Sequence, residues 1–245
     1  PRRVGIEEEL TAVEPRAEVG QVWRLGEHLL ACGDSLDGPT TDALLEGCGG
    51  LADCIVTDPP YAIYGSASGI SSEAADDKMV VPFFRAVAGT ATRVLKKWGH
   101  GYFFTDWRSW ASVWVAFKGA GLTIKNQLVW DKGAPGLGAM YANGCELIAF
   151  ATMDPKQKTM ISKGESGART VLRPNMLRFP RPHGDARPHN AAKPVDLLAE
   201  LIRNSTEPGE IVLDLFNGSG STLLACELEG RRYRGVEIEP KWVDV

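Results

Sequence analysis

Apolar positions along this chain fall into two patterns that take turns. Short unbroken runs, of the kind a strand buried on both faces needs, occur at 54–56, 101–105, 127–130, 145–152, 211–216 and 233–238. Between them lie stripes at helical spacing. Met79, Phe83, Val87 and Val94 predict a helix over about 76–97. Trp110, Val113, Trp114 and Phe117 predict another over 109–118, its aromatic stripe expected in the core. Leu197, Leu198, Leu201 and Ile202 mark a third over 194–205, with Pro194 in its first turn and Pro208-Gly209 beyond its end. Residues 223–229 make a fourth, and a short helix over 39–47 turns Leu44 and Leu45 inward. Near the start, Trp23-Arg24-Leu25 and 28–32 read as two strands about a Gly26-Glu27 turn. The runs 127–130 and 145–152 are separated by a glycine-rich excursion and no helix, which predicts an antiparallel hairpin at one sheet edge. Elsewhere strands alternate with helices. The expected fold is α/β, a doubly wound and mostly parallel sheet.

Composition adds bounds. With 245 residues, 44% of them hydrophobic, the chain suits one such domain with a small insertion. No apolar run approaches the roughly 20 residues of a membrane span, so no membrane partner is expected. The five cysteines are scattered without a Cys-x-x-Cys pair. They are expected as buried thiols of a reducing cytoplasm, not as a disulfide framework or a zinc site, and no metal is called for. The chain opens on Pro1-Arg2-Arg3 with no signal-like apolar stretch, and a truncated or cleaved end is expected there. Residues 1–20 form a polar, acidic lead-in.

Net charge is −4, but its distribution matters more. Residues 1–50 carry ten acids against four bases, whereas 153–193 carry nine Lys/Arg against three acids. Lys156, Lys158, Lys163, Arg169, Arg173, Arg178, Arg181 and Arg187 all lie in this proline-rich, aperiodic stretch. A basic segment within an acidic chain is a candidate phosphate-contacting surface, expected to lie over the sheet's edge.

The chemistry gathers at strand ends. The run Cys54-Ile55-Val56 leads into Asp58-Pro59-Pro60-Tyr61. Two prolines fix φ and remove two N–H donors, so neither a sheet nor an ordinary helix continues there. What remains is a carboxylate, free carbonyls and an aromatic face, suited to a planar group bearing an NH2. Residues 62–75, rich in Ser, Gly and Ala, read as a functional loop beside it. A second strand runs through Asp214 into Asn217-Gly218-Ser219-Gly220-Ser221-Thr222 and a helix, an anion-accepting turn. Glu237 ends the next strand, 23 positions after Asp214, where an acid can take both hydroxyls of a ribose. A nicotinamide-dependent oxidoreductase shares this logic, but Leu223 stands at the third glycine's place and that reading leaves Asp58 to Tyr61 unused.

Asp58-Pro59-Pro60-Tyr61 resembles the catalytic tetrapeptide of the amino-group DNA methyltransferases, and 214–222 resembles their S-adenosylmethionine motif. The catalytic motif comes first, then the basic insertion, then the glycine-rich motif. That order resembles the permuted β class over roughly residues 20–245. The resemblance implies the seven-stranded methyltransferase sheet, with a lead-in at 1–20, a catalytic part at 21–152, a target-recognition insertion at 153–190 and a cofactor part at 191–245. It implies S-adenosylmethionine as cofactor, held by Asp34, Asp58, Lys193, Asp214, Phe216, Asn217, Gly218, Ser219, Gly220, Ser221, Thr222, Glu237 and Ile238. In that scheme Glu237 binds the ribose, Ile238 packs the adenine ring and Asp34 lies near the adenine amino group. Lys193 belongs to a stretch, 189–194, similar to a His-Pro-x-x-Lys-Pro motif, with Asn190 in place of the first proline. Asp58 and the Pro59 carbonyl would accept the two N–H bonds of a flipped-out base, Pro60 belongs to the same catalytic tetrapeptide, and Tyr61 would stack on the base.

The substrate so implied is double-stranded DNA. The tetrapeptide's spelling leans to adenine N6, with cytosine N4 the alternative and a non-catalytic DNA-binding protein a further one. A homodimer is expected, as is a cytoplasmic, nucleoid-associated place in a bacterium or phage-infected cell.

Overall fold

A computed structural model describes residues 16–60, 77–134, 140–156, 173–181 and 192–244. Among these the elements run β1 (Val22–Leu25), β2 (His28–Cys32), α1 (Gly38–Leu45), β3 (Ala52–Thr57), α2 (Asp77–Val94), β4 (Leu95–Thr105), α3 (Trp110–Ala120), β5 (Thr123–Asp131), β6 (Cys145–Thr152), β7 (Met176–Arg178), α4 (Val195–Ser205), β8 (Ile211–Asp214), α5 (Ser221–Leu228), β9 (Arg232–Glu237) and α6 (Pro240–Val243). The strands form one sheet in the order β1-β2-β9-β8-β3-β4-β6-β5-β7. Ladders β2–β9, β9–β8, β8–β3, β3–β4 and β5–β7 are parallel, and β1 and β6 run against their neighbours.

The unbroken apolar runs follow from burial on both faces, because successive side chains point to opposite sides. In β3, Ile55 enters one core while Cys54 and Val56 enter the other. In β4, Phe103 and the pair Tyr102 and Phe104 divide the same way, as do Leu213 and Val212 in β8. One face is closed by α2 and α3 through Phe84, Val87, Ala91, Val113 and Phe117. The other is closed by α4 and α5 through Leu197, Leu198, Leu201, Ile202, Ala225 and Cys226.

Several expectations need correcting. The described sheet has nine strands, not seven. The β5–β6 hairpin does not end the sheet, because β7 pairs in parallel outside β5, with Asp131 opposite Arg178. That strand comes from the aperiodic basic segment, so part of the insertion extends the edge instead of lying over it. Its neighbour Phe179 accepts a bond from the Trp130 indole at 2.7 Å. Helix α2 stops at Val94, and Leu95 to Gly99, expected largely as helix, lengthen β4 across a register shift. The strand expected to reach Phe216 ends at Asp214. Trp114 does not join the core stripe: Val113 and Phe117 are buried, but Trp114 is 48% exposed. Of the five free cysteines Cys145 is exposed and Cys48 half-buried, the other three being buried.

Chain direction fixes where a ligand fits. From β3 the path through α2 reaches β4 on one side, and from β8 the path through α5 reaches β9 on the other. Connections that diverge from two adjacent parallel strands leave a crevice at their carboxyl ends. Those ends carry Asp58 and Asp214.

Candidate active site

The crevice is a cavity of about 430 Å3 bordered by residues from both motifs. Asp58, Pro59 and Pro60 line it after β3, Phe216, Asn217, Gly218, Ser219, Ser221 and Thr222 after β8, and Glu237 and Ile238 at the end of β9. Lys193 and Leu198 close it from the start of α4. Phe104, Glu239 and Trp242 also line it, and none of these three was singled out in the sequence.

The glycine turn is shaped by its backbone. Gly218 and Gly220 both adopt left-handed φ, 53° and 77°, which side chains disfavour. Gly220 caps α5 without any side-chain hydrogen bond, leaving the helix start to a ligand. Asn217 pins the turn from beneath. Its Oδ1 accepts from the Tyr233 hydroxyl at 2.7 Å and its Nδ2 donates to the Gly218 carbonyl at 2.8 Å. Gly235 makes this possible, because a Cβ there would stand 2.2 Å from the Tyr233 hydroxyl oxygen.

Asp214 is buried, and its Oδ1 accepts from Thr57 Oγ1 at 2.8 Å and from the Phe216 amide at 3.0 Å. Burial pushes its carboxyl up to about 7, against the pull of bonds from Thr222, Phe216 and Thr57. Glu237 accepts from the Gly218 amide through Oε2 at 2.8 Å and from the Glu239 amide through Oε1 at 2.9 Å. Each oxygen keeps a second lone pair for a hydroxyl. Beside it Ile238 is 61% exposed, an apolar side chain turned to the cavity.

At the tip of β3, Asp58 meets Lys193. The ammonium donates to Asp58 Oδ2, reaches Glu146 Oε2 at 3.3 Å, and lies 5.2 Å from the centre of the Phe104 ring. Asp58 Oδ1 is buried with no hydrogen-bond partner among the described residues. Burial pushes the Asp58 carboxyl above its usual range, Lys193 opposes this, and the Glu146 carboxylate adds to it. The side chain is still 26% exposed, so water in the cavity moderates the rise. For Lys193, burial alone would lower the ammonium, but Asp58 and Glu146 outweigh it and hold it charged.

Other expected site residues are not among those bordering the cavity. Asp34 follows β2, where its Oδ1 accepts from the Leu36 amide at 2.9 Å, and it is not among the residues lining the cavity. Gly220 shapes the turn without lining the cavity. Of the basic residues, Lys156 is exposed, Arg173 pairs with Glu200 at 3.1 Å, and Arg181 is half-buried. Arg178 is 80% exposed and lies 3.6 Å from Asp131 at the same edge of the sheet as Asp58. Tyr61, the loop 62–75, Lys158, Lys163, Arg169, Arg187 and His189 lie outside the described residues.

Known proteins match this arrangement. YubD of Escherichia coli (strain K12), a methylase by name, is 32% identical over 192 residues, 78% of each chain. The DNA adenine methyltransferase YhdJ of the same organism is 26% identical over 217 residues, 78% of this chain and 73% of its own. The fold is shared with the PvuII DNA methyltransferase, named as cytosine-N4-specific, at a TM-score of 0.73 and 19% identity over 92% of this chain and 88% of that one. A family model described as DNA methylase, covering N6 and N4 enzymes, matches residues 52–245. That span opens with the strand of Asp58 and takes in every residue bordering the cavity, and on it the chain belongs to the N6/N4 DNA methylase family.

Proposed function

We propose that the protein transfers a methyl group from S-adenosylmethionine to the exocyclic N6 of an adenine turned out of double-stranded DNA. The observation that carries this is the state of Asp58. One carboxylate oxygen is capped by Lys193, the other is buried with no donor among the described residues, and the residue itself borders the cavity that the glycine turn shares. An oxygen so placed accepts an N–H of an amine, and the Pro59 carbonyl is the natural acceptor for the second. Two such bonds favour a pyramidal nitrogen and aim its lone pair across the cavity. The rise in the Asp58 carboxyl makes it a stronger acceptor than a free carboxylate.

The opposite wall fits the cofactor. Bound there, S-adenosylmethionine supplies the electrophilic methyl. Glu237 has spare lone pairs for the ribose hydroxyls, Ile238 offers an apolar face to the adenine ring, and the uncapped start of α5 suits a carboxylate. Catalysis by this chain is then positioning and electrostatics.

DNA as the polymer is supported by the rim. Trp107, after β4, is 64% exposed and Tyr141, in the β5–β6 loop, 88% exposed. Exposed aromatics, one of them with the Arg108 guanidinium 4.7 Å from its ring centre, suit stacking and phosphate contact. Adenine N6 is favoured by the Asp58-Pro59-Pro60-Tyr61 spelling and by the likeness to YhdJ. Action as a homodimer in the cytoplasm belongs to the same proposal.

The test is digestion of methyl-labelled DNA to nucleosides. N6-methyladenine from the wild type and at least about a thousandfold less from Asp58→Ala is expected. N4-methylcytosine would transfer the mechanism to the other base. Near wild-type transfer by Asp58→Ala would end the assignment of this site.

A further inference from the structure

Lys193 is not the last charge behind Asp58. Glu146, at the start of β6, takes Lys193 on Oε2 at 3.3 Å and Lys132, just beyond β5, on Oε1 at 2.7 Å. The four side chains form a row of alternating sign: Asp58, Lys193, Glu146, Lys132. They lie deep, with exposures of 7% for Lys193, 15% for Glu146 and 6% for Lys132. The hairpin holds the far end of the row. Glu146 stands opposite Trp130 in the β5–β6 ladder, and the Lys132 amide donates to the Gly144 carbonyl at 3.0 Å.

Buried ion pairs are weak devices for stability, since apolar replacements often do as well. Two nearly buried lysines sharing one glutamate therefore call for another reason. The geometry supplies it. Each Glu146 oxygen takes one ammonium, so the carboxylate fixes the direction from which Lys193 approaches Asp58. Lys193 thereby stays on Oδ2 and leaves Oδ1 without a competing cation. We infer that Glu146, backed by Lys132, is a positioning residue for methyl transfer, acting through Lys193 on the orientation and basicity of Asp58. This rests on the proposed role of Asp58 and extends it to residues that do not border the cavity.

The row makes a signed prediction that a merely structural role does not. The described groups whose charge bears on Asp58 are Lys193, Glu146 and Lys132, and Asp214 is near enough to be coupled to it. Glu146 raises the Asp58 carboxyl and Lys132 lowers it. Glu146→Gln removes the like charge, so Asp58 ionises at lower pH. Lys132→Met leaves Glu146 less neutralised, so Asp58 ionises at higher pH. The acid limb of single-turnover methylation should move down in the first variant and up in the second, each by about half a unit. Single turnover is used because product release often limits kcat.

The rate on the plateau should fall roughly tenfold or more in Glu146→Gln, with the Kd for S-adenosylmethionine within about threefold of wild type. The double variant Glu146→Gln/Lys132→Met removes one charge of each sign. Its limb should return to the wild-type position while its plateau stays low. Circular dichroism checks folding. Should either single variant be unfolded, the charge-balanced double variant carries the test through its plateau rate. Shifts of the same sign, no shift in either single variant, or an undiminished plateau in the double variant would overturn the inference. Asp58→Ala runs alongside. An active Asp58→Ala ends the reading of the site itself, whereas an inactive one with normal Glu146 and Lys132 variants ends only this extension.

Discussion

Asp214 shows how far burial shifts a single carboxyl, and its effect can be measured without substrate. Its folded value of about 7 stands above the ordinary 3.8. Between about pH 4 and 7 the folded chain thus keeps a proton there that the unfolded chain has lost. Stability from this group is present at the acid end and falls as pH rises, by up to about 1.4 kcal/mol per pH unit. Asp214→Asn has no such proton. The unfolding free energy of the wild type minus that of the variant should fall steadily from pH 4 to 7, as urea titrations at several pH values would show. Ile238 offers a second measurement, on binding. Truncating its exposed side chain to Ala should weaken S-adenosylmethionine by about 1 kcal/mol, roughly fivefold, in calorimetric titration.

These residues were legible in the sequence because each sits in, or directly after, a contiguous strand-and-turn stretch. Glu146 and Lys132 were assigned no role: the stretch from Val129-Trp130-Asp131-Lys132-Gly133 to Glu146 itself resembles the family, but that resemblance does not say what the two side chains touch. Only the β5–β6 register sets them beside each other, and Lys193, which joins them to Asp58, lies 135 positions from it.

At the scale of elements, the turn after β8 depends on the strand beside it. Tyr233 reaches Asn217 only because Gly235, two residues along β9, has no side chain in its way. Gly235→Ala should destabilise by about 1–3 kcal/mol through overpacking, lowering the melting temperature by roughly 2–8 °C. It should also weaken S-adenosylmethionine, since the turn loses its support. A glycine in a strand gives no hint of this by itself, for the ring it accommodates belongs to its own strand. The same limit explains β7 and the first part of β4. A three-residue edge strand carries no period to detect, and Leu95-Lys96-Lys97-Trp98 follows a helix without any turn residue to announce the change.

For the whole molecule, a net charge of −4 opposes a polyanion, yet the edge that holds the cavity also presents Arg178, 80% exposed. Arg178→Ala should weaken DNA binding about equally for all sequences and reduce the slope of log affinity against log salt by roughly one, measured by fluorescence anisotropy over a salt series. An unchanged slope would remove this arginine from the DNA face. The doubly wound architecture, and the crevice its diverging connections create, were predictable from the alternation of apolar runs and stripes. At the margins, β1 was read from Trp23-Arg24-Leu25, whereas β7 was not, since so short an edge strand needs only partial burial.

The tether formed by β7 bears on how such a protein acquires new targets. Its three residues hydrogen-bond along β5, and Phe179 holds the Trp130 indole. Through this short clasp the described part of the 153–190 segment is fixed to the catalytic scaffold. Chimeras that retain 173–181 and import the flanking stretches from a relative should remain folded and change which DNA sites they modify. Those that replace the clasp as well should lose the sheet's margin.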